Sequence, residues 1–109
     1  MDIRVQASGA PCTPALAAHV RRSLQDGLLQ RSDRVARVEV RLGAGRGRAG
    51  DHDTYCLMQV HLSGASAATV VDMGADMEAT IERAAERVGR LALAKLDAAK
   101  ARPAGGATT

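Results

Sequence analysis

Between Ala75 and Arg102 the apolar positions Met77, Ile81, Ala84, Val88 and Leu91 recur at steps of three and four, the period of one helix face. The stretch is rich in Ala, Leu, Glu, Arg and Lys, has one glycine, Gly89, and has no proline before Pro103. It therefore predicts one long helix. Arg83, Arg87 and Arg90 recur at the same steps on a second face. Glu86 stands four residues before Arg90, the favourable order for an exposed pair. The apolar stripe needs a partner surface.

Alternating segments elsewhere in the chain supply it. Ile3, Val5 and Ala7 alternate with Arg4, Gln6 and Ser8, the pattern of a half-buried strand. Thr13-Pro14 then marks a helix start, Thr13 as N-cap and Pro14 at the first helical position. Leu16, Val20 and Leu24 form the apolar face of that helix and Leu28 extends it, with Arg21, Arg22 and Gln25 turned away. Gly27 weakens its last turn, and Ser32-Asp33 reads as a loop. Residues 35–42 alternate again, with Val38, Val40 and Leu42 inward and Arg37, Glu39 and Arg41 outward. The glycine-rich run 43–53 separates two strand patterns and predicts a long hairpin loop. Tyr55 to Leu62 is the next strand, with Cys56, Met58, Val60 and Leu62 on one side. Gly64 marks a turn, and residues 67–73 form a short last strand that Gly74 ends. The order β-α-β-β-β-α predicts an α+β fold, a two-layer sandwich. Its four-stranded, mostly antiparallel sheet carries both helices on one face. The other face, with Arg4, Arg37, Glu39, Arg41, Gln59 and His61, is left to solvent. Residues 1–102 make a single domain, and the small, polar tail 103–109 is expected to be disordered.

Composition narrows the function. Tyr55 is the only aromatic residue, so the core is built from Val, Leu, Ile and Met. A formal charge of +3 and a pI near 9.4 are compatible with an anionic partner without demanding one. Cys12 and Cys56 make no disulfide framework. The N-terminus lacks the pattern of a signal peptide, and no apolar run approaches the roughly 18 residues of a membrane span. The expectation is a cytoplasmic protein with reduced thiols and no membrane partner. Oligomeric state is not written in such a sequence.

The arginine stripe is the clearest candidate chemistry. It can neutralise phosphates in salt-dependent binding, or it is a solvated face balanced by Glu78, Glu82 and Glu86. A lone Tyr55 argues against the aromatic platform of single-strand binders. The loop 43–50 lacks the Gly-Lys-Ser/Thr ending of a P-loop and leads into a strand. Arg46 and Arg48 in it are either loop contacts to RNA or part of an idle hairpin. Asp51, His52, Asp53 and Cys56 match no zinc spacing, and Cys56 falls on the inward side of its strand. His19 and His61 have no nucleophile near them in sequence. The residues thus indicate no catalytic site, metal, cofactor or small-molecule substrate, and the expectation is a protein that is not an enzyme.

Three strings carry a family resemblance. Thr13-Pro14-Ala15-Leu16 follows a short alternating strand and leads into a helix with Arg21-Arg22. Val35-Ala36-Arg37-Val38-Glu39-Val40 stands at the second strand. Asp76-Met77, with Ala79, Ile81, Glu82, Ala84, Arg87 and Arg90, opens the last helix. Their common register, over roughly residues 3–95, resembles the ribosome hibernation promoting factor family, also called ribosome-associated inhibitors and formerly sigma-factor modulation proteins. The resemblance implies a factor that binds the small ribosomal subunit in the mRNA and tRNA channel during slow growth or stress and inhibits translation by occupancy. Basic side chains on the two helices would contact rRNA phosphates. By position these are Arg21, Arg22, Arg83, Arg87, Arg90 and Lys95. The chain departs from the family pattern in its uncharged Ser8-Gly9-Ala10, in Glu78 where an aromatic is common, and in the apolar Leu91-Ala92-Leu93-Ala94. The resemblance is to the family's short form, which implies no further C-terminal domain such as the long members carry. The alternatives are a protein-interaction module of the same fold that has lost ribosome binding and uses its open sheet face, and a small enzyme.

Overall fold

The computed structural model describes residues 2–8, 13–46 and 52–101. Its elements are β1 (Asp2–Ser8), α1 (Pro14–Gly27), β2 (Val35–Arg46), β3 (His52–Leu62), β4 (Ala68–Gly74) and α2 (Met77–Ala101). The strands lie in the order β1-β2-β3-β4. β1 and β2 are parallel and the other neighbours antiparallel. The parallel pair follows from α1, which carries the chain back so that β2 runs in the direction of β1. This is the expected α+β sandwich.

Capping starts both helices where the sequence places them. Thr13 accepts a hydrogen bond from the Leu16 N–H at 3.1 Å, with Pro14 next in the first turn. The Asp76 carboxylate accepts from the Ala79 N–H at 3.3 Å, which satisfies one of the orphan donors of α2. Ser32-Asp33, read as loop, lies within a 3-10 segment, Leu29–Arg34.

The strand register puts Val38, Val40, Leu42, Cys56, Met58, Val60, Ala68 and Val70 on the helix face. There they meet Val20 and Leu24 of α1, and Ile81, Ala84, Ala85, Val88, Ala92 and Leu96 of α2, in one buried core. Arg37 and Arg41 are exposed on the opposite face, as expected. A register irregularity between Val35 and Arg37 is an exception to strict alternation, and Val35 is buried with its partner Leu62.

The hairpin loop is shorter than the glycines suggest. Gly43, Ala44, Gly45 and Arg46 continue β2 and pair with Tyr55, Thr54, Asp53 and His52. A ladder needs only backbone, and at Gly43 the missing side chain is replaced by a neighbour's. The Tyr55 ring lies where a Cβ on Gly43 would stand. The backbone of Arg46 thus ends a strand; Arg48, Asp51, Cys12 and the tail 103–109 lie outside the described residues.

α2 packs on β3 and β4 and against α1. Glycine permits the helix–helix approach: a Cβ on Gly89 would collide with the Gly27 carbonyl, and one on Gly27 would stand 2.8 Å from the Ala85 oxygen. Gly27 therefore does more than loosen a helix end. His19 adds a polar tie, its Nε2 lying 3.2 Å from a Glu82 carboxylate oxygen and 3.3 Å from the Glu78 carbonyl.

Candidate nucleic-acid interface

The helix layer presents the basic residues in three settings. Arg21 and Arg22 are exposed on α1. Helical spacing turns Arg21 off the flank on which His19, Ser23 and Asp26 face α2, while Arg22, three residues after His19 and four before Asp26, borders it. Neither makes an ion pair or side-chain hydrogen bond among the described residues. Arg90 is exposed on α2 and donates to Glu86 at 3.1 Å, the i,i+4 pair read from sequence. Lys95 donates to the Ser66 hydroxyl at 3.1 Å, bringing the turn before β4 against α2.

Arg83 and Arg87 occupy the third setting, at the open edge of the sheet. β4 is an edge strand, and its outward carbonyls are engaged by these side chains. Arg83 donates to the Met73 carbonyl at 3.1 Å and Arg87 to the Val71 carbonyl at 3.1 Å. Between them lies Asp72, whose side chain is only 15% exposed, 3.6 Å from Arg83 Nε and 3.3 Å from Arg87 Nη1. The two arginines cover an edge that would otherwise invite pairing with another chain. They point away from Ile81 and Val88, as the helix period requires, yet their removal takes more than surface charge, since β4 is held by them. Each remains about half exposed, and a guanidinium carries five N–H donors, so donors are left for an anion.

Beside Arg83, Gly74 leaves room for the Thr80 hydroxyl and the guanidinium. Thr54 donates to the Gly74 carbonyl at 2.8 Å and lies 3.3 Å from the Thr80 oxygen. Thr80 in turn donates to the Asp76 carbonyl at 2.7 Å. This buried network fixes the start of α2 against the ends of β3 and β4.

Carboxylates divide the basic groups. A recess of about 270 Å³ between α1 and α2 is lined by Ser23, Asp26, Gly27, Glu82 and Glu86. The stripe of Arg83, Arg87 and Arg90 is thus split: Arg90 stands with the carboxylates, while the other two turn to the β4 edge. Phosphates would meet cations without a direct ion pair at Arg21 and Arg22, and oriented ones at Arg83 and Arg87.

Elsewhere the candidate groups are held by the fold. Cys56 is fully buried, and burial, with the Asp72 carboxylate adding to it, pushes its thiol up to about 12, so it stays protonated and non-nucleophilic. On the open face Glu39 lies 2.9 Å from His61 Nε2 and accepts from Arg37 at 3.1 Å. These bonds, the histidine's first, hold its carboxyl below the usual carboxylate range. Among the described residues no cluster of His, Cys, Asp and Glu could hold a metal, and no helix is long and apolar enough to cross a membrane. Sequence reasoning missed Asp72, an acid at an inward position of a strand. It also missed the Tyr55–Gly43 contact, for which a glycine across from an aromatic in paired strands is the signal.

No family model and no curated protein matches the chain. Among solved structures it is similar to a ribosomal subunit interface protein from Coxiella burnetii, with a TM-score of 0.74 and 18% identity over 90% of this chain and 99% of that one. It is also similar to the N-terminal domain of Protein Y from Thermus thermophilus, with a TM-score of 0.65 and 20% identity over 84% of this chain and 94% of that one. The β-α-β-β-β-α fold is therefore shared with both structures over nearly their whole length.

Proposed function

We propose that the protein is a non-catalytic ribosome-associated factor that binds the small ribosomal subunit through rRNA contacts and inhibits translation, or promotes ribosome hibernation, under stress. The observation that carries this reading is the fold shared along nearly its whole length with a ribosomal subunit interface protein. The exposed, unpaired Arg21 and Arg22 support it. Binding is electrostatic: Arg21, Arg22, Arg83, Arg87, Arg90 and Lys95 neutralise rRNA phosphates, with Arg46 and Arg48 as added contacts. Occupancy of the mRNA and tRNA channel then blocks translation without chemistry.

Gradient cosedimentation tests it. The protein is expected with small subunits. Arg21→Ala/Arg22→Ala is expected to lose most of that association with unchanged circular dichroism, because neither side chain supports the fold. In a cell-free system the wild type is expected to lower protein synthesis and this variant to do so far less. Absence of wild-type protein from the ribosomal fractions at low salt contradicts the proposal.

A further inference from the structure

The sheet face away from the helices carries a feature that the helix-layer contacts do not use. Tyr55, the chain's one aromatic residue, covers Gly43 and remains 37% exposed. Beside it is a recess of about 320 Å³ lined by Gln6, Ala7, Ser8, Arg41, Leu42 and Tyr55, within the roughly 300–1,000 Å³ of ligand sites. Register brings these groups together: Gln6 partners Arg41, Ser8 partners Gly43, and Gly43 partners Tyr55. On the far side of the ring Met73, the cross-strand partner of Tyr55, is 62% exposed.

Charge on this face is uneven. Arg4 lies 3.2 Å from Asp2 and Arg37 3.1 Å from Glu39. Arg41 is exposed and has no acidic partner among the described residues. An aromatic ring, a free guanidinium, and an amide and a hydroxyl beside them are the groups that recognise a planar base bearing a phosphate. The ring stacks, the guanidinium takes the phosphate, and the polar pair reads the base edge. We propose that this face binds single-stranded RNA, seating one unpaired base on Tyr55 and its phosphate on Arg41. One ring takes one base, so the site is a single-nucleotide seat and not the multi-base platform that a lone aromatic cannot build. That the strand is RNA rests on the ribosomal reading; recognition of a nucleotide by these residues does not.

The test uses the intact chain and proton NMR, in which Tyr55 is the only non-histidine source of aromatic side-chain signals. The probes are oligoadenylate, an abasic ribose-phosphate oligomer of equal length, and polyglutamate. Oligoadenylate is expected to shift the Tyr55 ring resonances upfield, and the abasic oligomer to leave them in place. Tyr55→Leu should lose about tenfold or more in affinity for oligoadenylate and none for the abasic oligomer. Tyr55→Phe should bind as wild type, and Arg41→Ala should weaken both. Unmoved Tyr55 resonances at saturation, no binding of oligoadenylate, Tyr55→Leu binding like wild type, or tighter binding of polyglutamate would each overturn the proposal. If Tyr55→Leu does not fold, the wild-type shifts and Tyr55→Phe still decide. Failure here with cosedimentation intact overturns this seat alone, whereas loss of wild-type cosedimentation overturns the ribosomal reading.

Discussion

At the scale of single residues, Cys56 shows how placement sets chemistry. Its strand alternates, so it faces the core, and the core denies its thiolate water. In a Cys12→Ser background, iodoacetamide is expected to leave Cys56 unmodified in native protein at pH 8 and to alkylate it in urea. The native thiol titrates near 12, above its ordinary value of 9.0. The folded state therefore holds the extra proton across that window, and this contribution to stability is lost as pH rises through it. Urea midpoints should accordingly fall more steeply above pH 9 for the wild type than for Cys56→Ala; equal slopes would contradict the assignment. The inward set Val38, Val40, Leu42, Cys56, Met58 and Val60 was legible because period-two alternation reports a face directly. The Tyr55–Gly43 contact was not, because it depends on which residues face one another across the hairpin. Glycine composition suggests a loop there, while the register makes a ladder.

Among elements, the pairing of α1 with α2 hinges on Gly27 and Gly89. Gly89→Ala gains helix propensity, yet its methyl meets the Gly27 carbonyl. A net loss of about 1–3 kcal/mol is expected in urea unfolding, and a stabilised variant would show that the helices do not cross so closely. Ile81 is fully buried in the core, so Ile81→Ala should cost about 2–5 kcal/mol. A loss below about 0.5 kcal/mol would mean that α2 does not dock on the sheet. The arginines of α2 set a subtler test. Arg83→Ala/Arg87→Ala leaves the largely covered Asp72 without its cations, a change expected to cost about 1–3 kcal/mol. Adding Asp72→Ala should recover part of that loss, and strict additivity of the changes would mean that Asp72 and the arginines are not coupled. Helical period told which face of α2 carries the arginines, but not that β4 would lie under two of them. Partners across 10 to 16 residues of chain are fixed by topology and not by spacing.

For the whole molecule, element order was readable because the strands largely alternate and both helices have a clean period and an N-cap, and the parallel β1–β2 pair follows from connectivity. The candidate interface was legible as a list of basic residues and not as a surface. Asp26, Glu82 and Glu86 meet only when the helices pack, and they partition that surface into separate cationic patches. Function on this account is charge displayed by a small rigid sandwich, so the strength of binding must follow ionic strength. The most direct measurement is the affinity of the purified protein for isolated small ribosomal subunits as salt is raised. With some three to five phosphates neutralised, the log–log slope should be roughly −2 to −4, and Arg21→Ala/Arg22→Ala should make it shallower by about one to two. A slope near zero, or an unchanged slope in that variant, would contradict docking through the helix layer.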